Sequence, residues 1–167
     1  LSANINLTSI NCSVNILSSL DVSANTILEN LNCSGQIPYD DVDDDTKDYT
    51  FDTLNIRGNT ALLELNCSNN NLSALSVNSN TALTNLNCSF NAIEAINVNA
   101  NPDLQELLCN NNSLFALNVV NGNNGAISLF NADFNPNLSC IEVPTNKLSD
   151  WISSSFLSSS YVDNGVA

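Results

Sequence analysis

The strongest constraint on this chain is an internal repeat of 21 residues. Cysteines recur at that interval in two runs, first Cys12 and Cys33, then Cys67, Cys88 and Cys109. The unit reads L-x-x-L-x-C-x-x-N-x-L-x-x-L-x-V-x-x-N-x-x and contains two short stretches of alternating apolar residues. Such alternation is typical of strands with one buried face. Because one unit this short cannot bury its own apolar face, the repeat predicts a solenoid of stacked units.

The period and its apolar pattern together predict a leucine-rich repeat solenoid. We expect it to be mainly β, with about six stacked coils, parallel sheets and little helix. The solenoid is assigned to residues 1–146, and residues 147–167 to a C-terminal segment that caps the apolar end of the stack. Cys33 and Cys67 are 34 residues apart, thirteen more than the period, so a 13-residue insertion within 38–50 interrupts the second coil.

Asparagine, which makes up 33 of the 167 residues, recurs at two fixed positions of the repeat. An inward amide can donate to and accept from the backbone of a buried turn, and we assign this structural role to the row that follows the first strand. That row is Asn15, Asn70, Asn91, Asn112 and Asn135, with Gln36 in the interrupted coil. For a second row two roles stay open, the same pairing or a left-handed turn, which Asn tolerates. The second row is Asn25, Asn59, Asn80 and Asn101.

Five cysteines occupy one core position of the repeat and have a structural role as well. Stacked strands lie about 4.8 Å apart and their side chains run parallel, whereas a disulfide needs converging Cβ atoms. We therefore predict that these thiols are buried and unpaired. They are Cys12, Cys33, Cys67, Cys88 and Cys109, while Cys140 lies outside the column.

Charge and composition exclude several classes of function. The chain has 17 acidic and 3 basic residues, a net charge of −14, which argues against binding nucleic acid or an anionic membrane. It has no histidine, so Ser-His and Cys-His catalysis and imidazole metal sites are excluded. No apolar run reaches the ~18 residues of a membrane-spanning helix. Since no acid pair outside the insertion looks placed in a pocket, we predict no enzyme and no cofactor, with calcium as the one exception considered.

The insertion carries the chemistry that suggests calcium. Asp41, Asp43 and Asp45 have D-x-D-x-D spacing, and Asp52 falls at the twelfth position, where oxygen ligands for Ca²⁺ are needed. The sixth position is threonine instead of the glycine that a calcium loop of this kind requires, so a solvated acidic loop is the competing interpretation. Tyr39 and Tyr49 flank the acids and could present their rings to a ligand.

The repeat also predicts which side chains lie outward on the first sheet. The residues on either side of each buried strand centre form a flat polar face, and four of them are candidate ligand-binding residues. They are Glu64, Glu106, Asn66 and Asn87. Phe90, Phe115 and Phe134 are predicted at the coil edges, where they either cover the edge or form an aromatic platform for sugar.

The consensus sequence of the repeat, N-C-S-x-N-x-L-x-x-L-x-V-x-x-N-T-A-L, resembles that of secreted leucine-rich repeat proteins of Bacteroidetes-type bacteria. Residues 66–83, 87–101 and 11–28 carry the resemblance, and residues 135–143 resemble the closing segment of that family. The resemblance implies a secreted or cell-surface setting and a general binding scaffold. It does not explain the acidic insertion.

From these features we expect a non-catalytic recognition or adhesion module. It would bind a protein partner at the cell surface through an exposed solenoid face and the acidic loop, without binding nucleic acid or inserting into a membrane. Two alternatives are a glycan-binding module of a polysaccharide-utilisation or adhesion system, and an ice-binding protein. Because the first coil has no obvious cap, we also expect flanking domains in a longer chain.

Overall fold

The computed structural model describes residues 1–36, 50–122 and 127–143. These residues form eleven short parallel strands and no helix, and so no helix in this part of the chain is long and apolar enough to cross a bilayer. The strands are β1 (Ser9–Asn11), β2 (Ser19–Asp21), β3 (Asn30–Asn32), β4 (Thr53–Asn55), β5 (Glu64–Asn66), β6 (Asn85–Asn87), β7 (Ala95–Asn97), β8 (Glu106–Leu108), β9 (Ala116–Asn118), β10 (Leu129–Asn131) and β11 (Cys140–Glu142).

One strand from each coil joins a six-stranded parallel sheet, which we call the principal sheet. Its order is β1-β3-β5-β6-β8-β10, so each strand pairs with its counterpart in the next coil. The register is continuous, and Leu31, Leu65, Leu86 and Leu107 stack at the strand centres. The prediction of a leucine-rich repeat solenoid with stacked coils and little helix is therefore confirmed.

The opposite side of the solenoid is divided into two smaller sheets. β2 pairs with β4, and β7, β9 and β11 form a second group, all parallel. The L-x-V stretch of the third coil, Leu75 to Val77, carries no strand, although its sequence matches the other coils. Next to it the N–H of Glu94 reaches the carbonyl of Ser73 only over 3.4 Å, so the stack is stretched at this point.

The core lies between the two sides and is built from the inward positions of every coil. Phe51 is fully buried and occupies the position that Leu72, Ile93 and Leu114 fill in later coils, so the repeat resumes directly after the insertion. Residues 37–49 and 144–167 lie outside the described residues. The assignments of the insertion and of the cap at 147–167 therefore stay predictions.

Candidate recognition surfaces

The turns that leave the principal sheet are held by the first row of amides. Asn70 Nδ2 donates to the carbonyl oxygens of Cys33 (3.1 Å) and Cys67 (2.9 Å), and its Oδ1 accepts from the N–H of Gln36 (2.9 Å). Each such amide thus joins one coil to the coil before it. The same bridging pattern is repeated by Gln36, Asn91, Asn112 and Asn135.

Asn15 departs from the predicted inward position. It lies in the first coil and is exposed, and its amide donates only to the carbonyls of its own turn, Cys12 (2.9 Å) and Ser13 (3.0 Å). It therefore closes a turn without linking two coils.

The second amide row supports the opposite corner of each coil. Asn80 Nδ2, for example, donates to the carbonyls of Ile56 (3.0 Å) and Asn59 (2.9 Å) of the preceding coil. All four of its members, Asn25, Asn59, Asn80 and Asn101, are fully buried, and none has a positive φ. Of the two roles left open, backbone pairing is found for the amide donors, whereas the four Oδ1 atoms of this row are buried and have no hydrogen-bond partner.

The cysteine column lies directly beneath these turns. Cys33, Cys67, Cys88 and Cys109 are buried, Cys12 is half-buried, and all six cysteines are free, including Cys140. Burial raises the pKa of the Cys33 and Cys88 thiols to about 12, and it raises the pKa of Cys67 and Cys109 well above its usual value. Because the thiolate is the reactive form, these buried thiols are chemically inert near neutral pH.

The outward face of the principal sheet carries a row of oriented amide donors. Oδ1 of Asn66 accepts from the backbone N–H (3.1 Å) and the hydroxyl (2.8 Å) of Ser68, and Oδ1 of Asn87 accepts from Ser89 in the same way. Asn11 and Asn32 repeat this pairing. Since a backbone N–H must meet an oxygen, the amide orientation is fixed. Within the described residues the Nδ2 groups of these four asparagines have no acceptor, so they stand as a row of donors.

Two carboxylates accompany the amide row. Glu64 and Glu106 occupy equivalent places two coils apart, with Asn85 between them in the register. Oε2 of Glu106 accepts from Nδ2 of Asn85 at 3.0 Å. Both glutamates line a shallow depression of about 440 Å³ that also contains Asn66 and Asn87, so the structure brings the four predicted ligand-binding residues together.

This placement corrects the expectation that no acid pair outside the insertion shares a pocket. The depression is nevertheless an open face: Glu64 is exposed, and the depression is floored by strand residues of the sheet. Ligand and substrate sites are usually concave pockets that bury most of the bound molecule, and this shallow depression does not have that shape.

Most of the residues predicted to bind calcium or to present a tyrosine ring cannot be placed in the structure. Asp41, Asp43, Asp45, Tyr39 and Tyr49 lie outside the described residues. Asp52 is exposed beside the insertion, and its Oδ1 accepts from the hydroxyl of Thr53 at 2.9 Å. Among the residues that the structure does describe, no group of three or more acidic or thiol side chains could hold a metal ion. Calcium binding by the insertion stays a prediction.

A third surface is the edge where the chain turns from the principal sheet to the opposite side. The residue before each amide of the first row is left-handed, with φ between 54° and 67°. These residues are Val14, Gly35, Asn69, Phe90, Asn111 and Phe134, which we call the left-handed column. Gly and Asn adopt this conformation readily, whereas it costs other residues about 1–2 kcal/mol each.

The sequence predicted that the phenylalanines lie at this edge, but it did not predict their left-handed backbone conformation. Val14, Phe90 and Phe134 are 71%, 49% and 76% exposed, so burial does not compensate for the left-handed conformation. The available signal was the alternation of Gly and Asn with bulky residues at one position of the repeat, since Gly and Asn mark a positive φ.

Together these features define a leucine-rich repeat solenoid with open polar and edge surfaces. Among solved structures, the functional domain of InlJ from Listeria monocytogenes, which includes a cysteine ladder, is similar to this chain with a TM-score of 0.56 and 28% identity. The match covers 89% of this chain and 38% of that one, so the chain spans well under half of the InlJ domain. No protein-family model matches the sequence. No curated protein matches it either.

The InlJ likeness supports the leucine-rich repeat solenoid. It does not reach the narrower resemblance to Bacteroidetes-type secreted proteins, which stays a prediction.

Proposed function

We propose that this chain is a non-catalytic recognition module, secreted or displayed at a cell surface, that binds a protein partner through the principal sheet. The observation that carries the proposal is the row of asparagine amides, each locked by a serine and left with a free donor on an open face. Donors fixed before binding lose little freedom when a partner arrives. The carboxylates of Glu64 and Glu106 beside them supply matching acceptors.

A protein partner is favoured over a glycan on this face for a chemical reason. None of the residues that line the depression is aromatic, whereas sugar sites commonly stack a ring against the sugar. Rows of donors beside acceptors instead suit the alternating N–H and C=O groups of an extended polypeptide. The resemblance of the consensus sequence to secreted leucine-rich repeat proteins supports a secreted or surface setting. The leucine-rich repeat fold supports recognition of a protein.

The proposal can be tested with a random-peptide phage library panned against the whole chain. The test variant is Asn66→Asp/Asn87→Asp, which keeps an oxygen for Ser68 and Ser89 but replaces each free donor with an acceptor. The matched control is Asn55→Asp/Asn97→Asp on the opposite side, where each Oδ1 likewise accepts from the backbone N–H two residues on. We expect selected peptides to bind the test variant at least about tenfold more weakly and the control unchanged.

Equal binding to both variants, or no enriched peptide, would contradict the use of this face. Signals on a glycan array that the test variant loses would favour the glycan-binding alternative. Shaping of ice crystals by dilute protein would favour the ice-binding alternative.

We propose separately that the acidic insertion contributes to the partner contact, with calcium as its candidate ligand. Thermal unfolding with millimolar Ca²⁺ and with EDTA tests this, because a ligand that binds only the native state raises its stability. We expect an upward shift in Tm that Asp43→Asn/Asp45→Asn removes. An unchanged Tm would leave the insertion as a solvated acidic loop.

A further inference from the structure

The phenylalanines of the left-handed column carry two costs in free energy, one from their backbone conformation and one from their exposed apolar surface. Phe90 and Phe134 hold a backbone conformation that favours Gly or Asn, and they leave 49% and 76% of their surface in water. The fold does not require an aromatic residue there, because Asn69 and Asn111 hold the same φ in neighbouring coils. Stability therefore does not account for the two rings.

A third ring and two carboxylates share this edge. Phe115, 52% exposed, stacks one coil beyond Glu94, whose carbonyl accepts from the Phe115 N–H at 2.9 Å. Asp133 is exposed immediately before Phe134, and its carbonyl accepts from Asn111, the residue between the two rings in the column. Each of the last three coils thus places one exposed ring at this edge, and the first and third of these coils also place an exposed carboxylate there.

Within residues 1–36, 50–122 and 127–143 no basic side chain lies at this edge to balance these carboxylates. Arg57 is the one basic residue among those the structure describes, and it lies in the turn after β4, on the other side of the solenoid. A cation held over a phenylalanine ring gains from the negative face of the ring, and an adjacent carboxylate adds direct attraction. Arginine suits this arrangement best because its planar group both stacks and pairs.

We infer that this phenylalanine edge, formed by Phe90, Phe115 and Phe134 with Glu94 and Asp133, is a second binding surface that takes an arginine-rich segment of a partner polypeptide. Charge complementarity selects this occupant: the chain carries a net charge of −14, so a second copy would be repelled. The edge is separate from the amide row of the principal sheet, and the two proposals can fail independently.

The experiment uses labelled peptides of alternating arginine and glycine, and of alternating lysine and glycine, titrated with the whole chain at about 0.15 M ionic strength. The test variant is Phe90→Asn/Phe134→Asn, which installs the residue that this column already uses. The control is Leu63→Thr, an exposed apolar residue on the opposite edge replaced by the residue that the next coil has there. Fluorescence anisotropy gives the affinity and urea unfolding gives the stability.

We expect the arginine peptide to bind more tightly than the lysine peptide. The test variant should lose about tenfold in affinity for the arginine peptide, at undiminished stability, while Leu63→Thr binds as the parent does. Glu94→Gln/Asp133→Asn should weaken binding as well, without altering the rings.

Four results would overturn the inference. Equal affinity of parent and test variant would mean that the overall charge alone attracts the peptide. A marked loss of stability in the test variant would mean that the rings serve packing. Self-association in sedimentation velocity that disappears with the rings would make a second copy the occupant, and glycan-array signals that disappear with them would make the edge a sugar platform.

Discussion

At the residue scale, the asparagine amide is the group on which this architecture depends. A tightly wound solenoid leaves backbone carbonyls and N–H groups pointing into its turns, and each unpaired buried group is costly. One amide meets both kinds of group. Asn70 satisfies two carbonyls and one N–H across the boundary between two coils.

Replacing Asn70 with alanine should therefore destabilise the chain by about 3 kcal/mol, because three buried backbone groups lose their partners. Asn15→Ala is the matched comparison, since the same amide position is exposed there and should cost less than about 1 kcal/mol. Urea unfolding of both variants gives the two values. Equal losses would show that bridging between coils adds nothing.

The left-handed column offers a prediction of the opposite sign. Val14 is branched at Cβ, has φ 55° and is largely exposed, so Val14→Asn should raise the free energy of unfolding by about 1 kcal/mol. Val120→Asn is the control, because that position has no positive φ and neighbouring coils carry Asn78 and Asn99 there. A loss of stability in Val14→Asn alone would contradict the strain argument.

At the scale of the elements, every strand is only three residues long and has little stability by itself. Pairing with the strands above and below supplies what a single strand lacks, which is the behaviour of a nearest-neighbour stack. No strand forms at Leu75 to Val77, and this gap separates the two small sheets of the opposite side. The coil stays in the stack because its other strand, β5, pairs within the principal sheet. Its L-x-V sequence matches its neighbours, so the gap was not predictable from the pattern.

At Gly58 the backbones of two neighbouring coils approach each other closely. An added Cβ there would lie 1.9 Å from the carbonyl oxygen of Ser23 in the first coil. Gly58→Ala should therefore separate the first two coils and lower stability by about 3 kcal/mol. Ser79→Ala, at the equivalent place one coil later, should be nearly neutral in the same chemical denaturation. A neutral Gly58→Ala would mean that the first coil can move away without loss.

At the scale of the whole molecule, the buried thiols make stability depend on pH. Burial raises the pKa of Cys33 and Cys88 from 9.0 to about 12, so the folded chain keeps these thiols neutral while the unfolded chain ionises above about pH 9. Their contribution is therefore fully present below about pH 9 and is lost as the pH rises towards 12. We expect a decline of about 1.4 kcal/mol per pH unit for each such thiol in urea unfolding.

Replacing Cys33, Cys67, Cys88 and Cys109 together with alanine is the control for this slope. The cavities will lower stability at every pH, but the decline above pH 9 should flatten. If the slope stays as steep, the thiols are not its source.

The fold is well predicted from the sequence because every repeat carries the same pattern of apolar residues and asparagines. Each coil independently places leucine inward and asparagine at the turn, so the stack and its register follow from Leu65, Leu86 and Leu107 alone. The same logic placed Glu64, Glu106, Asn66 and Asn87 on one face. The fixing of Asn66 by Ser68 and the left-handed backbone of Phe90 escaped prediction, because they depend on turn geometry that an apolar pattern does not encode.

The free state of all six cysteines has a consequence for how this chain matures. Folding of the described coils requires no oxidant, no disulfide isomerase and no particular pairing of thiols. The coils can stack as soon as the chain is available, and burial shields four of the thiols, Cys33, Cys67, Cys88 and Cys109, from oxidants. The stability of the described coils therefore does not depend on disulfide formation, and a reducing environment takes no covalent link away from them.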